Sequence, residues 1–562
     1  MEKKSFIIKY RLFLVIIPLI ITLLMLLPLR FAKINPDLMD YLPEDIDSKI
    51  NMDKIERIFG KYDPVIIFFK TDDILNSSTL ARLHKLNRHF NKQKEIKDVI
   101  SLFETKYIRN EDGIMLVDPA ISRIPASEEG REALRDEIKK NELAYKLLIS
   151  ADFNYTIMLV NPSENVQDAE VFEVINRALE EIPGDEQIYM NGLPYLREEI
   201  QKKATRDLLV LFPLGLIVMM FFLYLSFRQF RSVFLPLAVV TMSIVASMGL
   251  MPLLGYDLSL IAVLIPIMLI AIANNYGVHI IARYQELNSL HRTWDMNRIM
   301  QNTIKLLKKP ILLTGLTTII GVLGLSAHIM IPAREMGIVT AVGIAYALLL
   351  SLFFIPAVMS YMKKGKPMKD ANGGNGGMVD KLLAWTGKIT TTKPRIVIIG
   401  FVIAVLFAGM GVFKLNVSIN LEEMLPSSHP MRISTKIANE KFGGTKNVAI
   451  LFEGDIKDPR VMSEIDSFES ELKTLENVGN VTSVAKVLRI ISKALNEPGD
   501  KYYDTIPDNR NAIAQFIEFY NMSGDPQDFE KMVDFDFTKA VLNVQFKAKN
   551  IDDFNKVTDK ID

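Results

Sequence analysis

The chain has 562 residues, 49% of them hydrophobic and 23% charged, and its 66 basic residues balance its 66 acidic ones. A formal charge of zero excludes the broad basic field of a nucleic-acid binder and leaves no acidic tail, and the absence of cysteine excludes disulfides and thiolate metal sites. The length exceeds one domain, and the apolar residues fall in blocks, as in a membrane protein.

Lys3, Lys4, Lys9 and Arg11 precede an apolar run from Leu12 to Leu29. That run is long for a signal-peptide core and lacks a small-residue cleavage site, so it reads as a retained anchor. Runs able to cross about 30 Å of hydrocarbon are predicted at 12–30, 208–226, 232–254, 258–281, 311–330, 337–360 and 396–413. Arg228 and Arg231, then Arg283 to Lys309, then Lys363 to Arg395 fall on the side of the N-terminus, which the positive-inside rule places in the cytoplasm. The chain then divides into a tail and first span (1–30), a first extracytoplasmic domain (31–207), spans two to six (208–362), a cytoplasmic linker (363–395), a seventh span (396–413) and a second extracytoplasmic domain (414–562).

In the first outer segment, strands over Val65 to Phe69 and Ile96 to Leu102 flank a helix over Ser78 to Lys92. The pattern recurs with Tyr155 to Val160, Ala169 to Ile182 and Gln187 to Met190. Two βαβ units predict a split βαβ, ferredoxin-like sandwich. The second outer segment reads as a copy. INPDLMDYLP and FGKYDPVIIFF correspond to INLEEMLP and FGGTKNVAILF, so Leu42, Pro43, Phe59, Gly60, Val65 and Phe69 recur at Leu425, Pro426, Phe442, Gly443, Val448 and Phe452. Its strands are expected at Val448 to Phe452 and Val481 to Val487 around a helix over Arg460 to Leu475, with Ala540 to Lys547 opening a further unit. The chain is therefore expected to be the first part of a longer duplicated protein.

Between the spans, Arg292 to Lys309 alternates apolar and basic residues and is expected to lie along the inner membrane surface, a solvated helix being the alternative. The glycine-rich DANGGNGGM after Lys369 is expected to be a flexible linker. The fourth span, PIMLIAIANNYGVHIIARYQE, carries Asn274, Asn275, Tyr276 and His279 in an apolar run. Such groups are costly in hydrocarbon and mark a site by default; the alternative is that the two amides only hydrogen-bond neighbouring helices. In the fifth span, Gly315, Gly321 and Gly324 with Thr314, Thr317 and Thr318 make a thin, weakly polar side suited to close approach to the fourth span. Arg283 and Glu286 read as an interface anchor and local ion pair.

NGLPYLREEI before the second span, FRQFRSVFLPL after it, NYGVHIIARYQE in the fourth and KKPILLTGLTTIIGVLGLSAHIMIPAREMGIVTAVGIAYALLLSLFFIP over the fifth and sixth resemble the RND superfamily of exporters. The likeness is closest to the MMPL-type hydrophobe exporters with a sterol-sensing-domain-like bundle. The resemblance implies an α-helical membrane bundle with α+β extracytoplasmic domains in a duplicated RND-type architecture, twelve spans in the whole protein, possible homo-oligomers, proton coupling and no enzymatic role. It also implies an inner-membrane location and a lipid or other hydrophobic substrate. The chain departs from the family where its fourth span reads Gly-x-Asp-Tyr, because the matching residues here are Ala273, Asn274, Asn275 and Tyr276. An amide cannot titrate, which leaves three readings of a coupling ion, H+ or Na+: an ionisable group supplied by the second half of the protein, a sodium ion on the Asn carbonyls, or His279 one turn along. Thr314, Thr317 and Thr318 are packing or relay candidates. No cofactor, metal centre or phosphate-binding loop is predicted. Two alternatives to export stay open: a non-transporting sensor or scaffold, and an accessory pump of protein translocation.

Overall fold

A computed structural model describes residues 6–111, 114–164, 166–365, 378–415, 425–524, 527–548 and 551–561. Seven helices among them are long and apolar enough to cross a membrane: Arg11–Leu29, Leu193–Phe227, Phe230–Leu253, Leu264–Leu290, Met296–Ala327, Ile331–Tyr361 and Pro394–Lys414. They correspond to the seven apolar runs of the sequence. Residues 366–377 of the expected linker and 419–424 of the second repeat motif lie outside the described residues.

Several boundaries differ from expectation for local reasons. The second span's helix begins at Leu193, well before residue 208, because nothing between Leu193 and the apolar run breaks it. The fourth starts at Leu264 rather than 258, since the preceding loop pairs with the segment after the first span. The Leu258 amide donates to the Lys33 carbonyl at 2.7 Å, and the Asn35 amide donates to the Leu258 carbonyl at 3.0 Å. Tyr41 closes this seam, its hydroxyl donating to the Asn35 carbonyl at 2.8 Å and accepting from the Leu260 amide at 2.9 Å. The stretch expected to lie along the membrane surface is instead the start of the fifth span. Asp295 caps it by accepting from the Arg298 amide, and Met296, Ile299, Met300 and Thr303 are buried against the bundle.

The chain clusters into two compact units, Met1–Ile46 with Glu199–Leu415, and Asp47–Glu198 with Asn416–Asp562. In the first unit the third, fourth and sixth spans supply most of the buried side chains, including Val239, Leu269, Tyr276, Ile280 and Ile344. Lipid offers no hydrophobic drive for such contacts, so small residues and polar ties set them. Thr22 of the first span and Tyr346 of the sixth both donate to the Pro18 carbonyl, at 2.8 and 2.9 Å. A Cβ on Gly249 of the third span would stand 2.1 Å from the Met25 backbone oxygen of the first. Backbone cannot yield as a side chain can, so Gly249→Ala is expected to separate the two helices and cost about 1–3 kcal/mol. Thermal unfolding in detergent measures this; a midpoint equal to wild type would show that the crossing has slack.

The second unit carries the sheets. Strands β1 (Val65–Lys70), β2 (Ile96–Ile100), β3 (Lys106–Glu111), β4 (Ile114–Pro119), β5 (Tyr155–Pro162) and β6 (Gln187–Asn191) come first. A four-stranded antiparallel sheet in the order β2-β5-β1-β6 is backed by helices Ser77–Phe90 and Asp168–Glu181, while β3 and β4 pair apart from it. Leu80, Leu83, Leu86 and Phe90 on one helix and Val171, Ile175 and Ala178 on the other bury their apolar stripes against the sheet. Strands β7 (Lys446–Glu453), β8 (Val478–Thr482) and β9 (Lys539–Phe546) form a second antiparallel sheet in the order β7-β9-β8. The strand expected over Val481 to Val487 ends at Thr482. Ser483 caps a helix, Val484–Leu495, whose buried Val484, Val487, Leu488 and Ile491 follow the helical period rather than the strand period.

The two chain segments of this unit exchange parts. Ile437, Ala438 and Phe442 of the second enter the core of the first sheet, Phe442 lying edge-on to Phe68 at 5.7 Å. Ile108 and Met115 of the first segment enter the core of the second sheet. Asn191 donates to Ser434 and Thr435 at 2.9 and 3.0 Å, and Lys493 pairs with Glu142 at 2.5 Å. Each sheet's core is therefore completed by side chains of the other segment.

Beside that join, Asp504 accepts from Arg489 at 2.9 Å and faces Lys493 at 3.4 Å. Burial pushes its carboxyl up, but the Arg489 hydrogen bond and the Lys493 charge outweigh this and hold it below the usual carboxylate range. A lowered carboxylate pKa contributes stability that is present above its ordinary value and lost as pH falls through the depressed one. Acid unfolding should accordingly be shallower in Asp504→Asn, read as the slope of the denaturation midpoint against pH below the ordinary carboxylate range. Identical slopes would remove Asp504 from the acid response.

Candidate functional site

Fourth-span residues occupy different faces because successive helical positions turn by about 100°. Ala273, Tyr276, Gly277, Ile280 and Ile281 face the bundle and are buried. Asn274 is half-buried and its Oδ1 is enclosed without a hydrogen-bond partner. Asn275 and His279, four residues apart, lie on an exposed face. That face borders a cavity of about 130 Å³ lined by Asn275, Tyr276 and His279 of the fourth span and by Leu307, Pro310, Ile311 and Thr314 of the fifth. The structure thus brings together four of the seven residues singled out in the sequence.

The other three, Asn274, Thr317 and Thr318, do not line it. The Tyr276 hydroxyl approaches Thr318 without closing a hydrogen bond of acceptable geometry. Thr314, Thr317 and Thr318 return their hydroxyls to their own helix, Thr314 to the Pro310 carbonyl at 2.9 Å and Thr318 to the Thr314 carbonyl at 2.8 Å. Pro310 has no amide to offer Leu306, and back-bonding threonines favour bending, so the fifth span is weakened where it walls the cavity. Of its glycines only Gly315 is in close contact: a Cβ there would meet Leu348 of the sixth span, whereas one on Gly321 or Gly324 would meet nothing within 4 Å. This corrects the expectation that all three fit the fifth span to the fourth. Arg283 and Glu286 do form an ion pair, at 2.5 Å.

A volume of 130 Å³ accommodates a few waters, and the lining offers an amide, a phenol, an imidazole and a hydroxyl to hold them. This set can pass a proton through His279 or orient a cation through oxygens. The Asn274 amide is not part of the lining, so the two Asn carbonyls do not converge on one point there. No carboxylate lines the cavity, and among the described residues no group of His, Asp and Glu could hold a metal ion.

Sequence reasoning missed the continuation of the buried face toward the end of the fourth span. Gln285 donates to the Phe227 carbonyl and to Ser232, both at 3.2 Å. Asn288 donates to the Gly365 carbonyl at 3.0 Å, and Tyr284 accepts from the Gly365 amide at 2.9 Å. The signal was present: 277, 281, 284 and 288 continue the core spacing past the end of the apolar run. Thr340 and Ser351, fully buried in the sixth span without hydrogen-bond partners, were also passed over. Ser351 lies in a π-helical turn, Leu350–Phe354, a form that often marks functional positions.

A family model described as MMPL family matches residues 40–397. A protein of Methanocaldococcus jannaschii, named only as a membrane protein, is 21% identical over 329 residues, covering 57% of this chain and 82% of the relative.

Proposed function

Since the chain belongs to the MMPL family, whose members are transporters, we propose that it takes part in secondary, ion-gradient-driven export of a lipid or other hydrophobic molecule from the inner membrane. The observation that carries this reading is the cavity between the fourth and fifth spans, where Asn275, Tyr276, His279 and Thr314 meet. Polar side chains around a small space in apolar spans are what an ion path requires.

On this reading the second unit lies outside the membrane and carries the substrate. Its first sheet, with strand order β2-β5-β1-β6 and two helices on it, fits a ferredoxin-like sandwich. Duplication has support of the same kind. Gly60 and Gly443, at matching places in the repeated motif, have φ of 79° and 88°. Each lies near a bulged strand, β2 between Ile96 and Asp98 and β8 between Val478 and Asn480. The absence of a carboxylate from the cavity favours one competing reading, a sensor that binds hydrophobic molecules without moving them.

A photoreactive lipid in native membranes is expected to label residues 31–207 or those beyond 414. Labelling confined to residues 228–231, 283–309 and 363–395 would defeat export and favour the sensor.

A further inference from the structure

A second cavity, of about 260 Å³, lies between the short N-terminal helix Phe6–Lys9, the start of the fifth span and the end of the sixth. Gln301, Ile304, Lys305 and Lys308 project into it from the fifth span, at i, i+3, i+4 and i+7, so they form one stripe of that helix. Ile7, Ile8 and Pro356 supply an apolar wall opposite. The polar atoms of Ser360 are already engaged: its hydroxyl donates to the Ala357 carbonyl at 2.7 Å, and its carbonyl accepts from Arg11 at 3.5 Å. Arg11 is held further by stacking on Tyr361 at 4.0 Å. Lys305 and Lys308, by contrast, are exposed and have no ion-pair partner among the described residues. What remains to be satisfied is two ammonium groups and one amide above an apolar wall.

We propose that this cavity binds the phosphate headgroup of an anionic lipid of the cytoplasmic leaflet. The assignment to that leaflet rests on the orientation proposed above. Paired lysines at a membrane surface attract anionic headgroups, and the space would hold roughly nine waters, closer to a phosphoglycerol group than to a bare ion. The isoleucines continue the site toward the hydrocarbon, which a soluble phosphate could not use. Lipid there would tie the N-terminal helix to the fifth span, the helix that also walls the candidate ion cavity.

The test is native mass spectrometry of the full chain with equimolar palmitoyl-oleoyl phosphatidylglycerol and phosphatidylcholine. Wild type is expected to retain phosphatidylglycerol in preference by about tenfold, and the Lys305→Gln, Lys308→Gln double variant to show near parity. Lys309→Gln, whose residue does not line the cavity, should keep the wild-type ratio. Parity in wild type, an unchanged ratio in the double variant, or release of phosphatidylglycerol by inorganic phosphate would each overturn the proposal. Should the double variant fail to fold, the wild-type ratio and its response to phosphate still decide. Sidedness is read separately: Lys309→Cys, in a chain otherwise free of cysteine, reports through an impermeant maleimide which face carries the cavity. A site that binds but faces outward would thus contradict the orientation alone.

Discussion

Leucine at both Asn274 and Asn275 is expected to reduce gradient-driven transport to background. Asn275 is the amide on the cavity wall, and Asn274 has an enclosed oxygen with no partner; leucine removes both polar groups while preserving approximate size. Single variants separate the two roles. Asn275→Leu should remove coupling with little change in thermal stability, because its side chain is exposed. Asn274→Leu should stabilise the bundle slightly, since an unpaired buried acceptor costs about 1–3 kcal/mol. Asn275→Asp installs a group that titrates where the amide cannot, so transport should become steeply pH-dependent. Wild-type transport by the double leucine variant would show that the amides only pack.

The largest expected loss of stability lies in the second unit. Arg197 forks onto both oxygens of Asp168, at 2.6 and 3.0 Å, and reaches Asp63 at 2.6 Å. The three side chains are only 13%, 20% and 10% exposed. Arg197→Met strands two carboxylates in a poorly hydrated place, which costs about 3–5 kcal/mol. Lysine keeps the charge but loses the fork, so Arg197→Lys should fall between the two. Burial already pushes the Asp63 carboxyl up against the pull of Arg197. Without the arginine its folded pKa rises further, and a raised carboxyl pKa contributes stability that is present at low pH and lost as pH rises. The deficit of Arg197→Met should therefore shrink on acidification. Denaturant unfolding of the full chain at two pH values measures both effects; a variant as stable as wild type would mean that water reaches the carboxylates.

Apolar run length made the seven spans legible, because a helix crossing hydrocarbon must satisfy its own backbone and be long enough to do so. The strands β1, β2, β5 and β6 and the two helices between them were legible for a similar reason: turn residues and alternation delimit them. What escaped is non-local. Nothing in the alternation of β3 and β4 shows that Ile108 and Met115 belong to another segment's core. The Tyr41 seam depends on a loop more than two hundred residues away. At the site, Asn275, Tyr276, His279 and Thr314 could be nominated by polarity alone, but which of them share a cavity follows from helix rotation. For that reason Asn274 and Asn275, adjacent in sequence, have different surroundings.

The most direct test of gradient-driven export through the fourth-span site is transport in proteoliposomes containing the full chain, with pH and sodium gradients imposed separately. A fluorescent lipid loaded in the membrane is followed by its transfer to an external acceptor. One of the two gradients is expected to accelerate transfer by wild-type protein, and the doubly leucine-substituted protein should give the rate of empty liposomes. Transfer at the same rate with and without either gradient, in wild type and variant alike, would contradict the account.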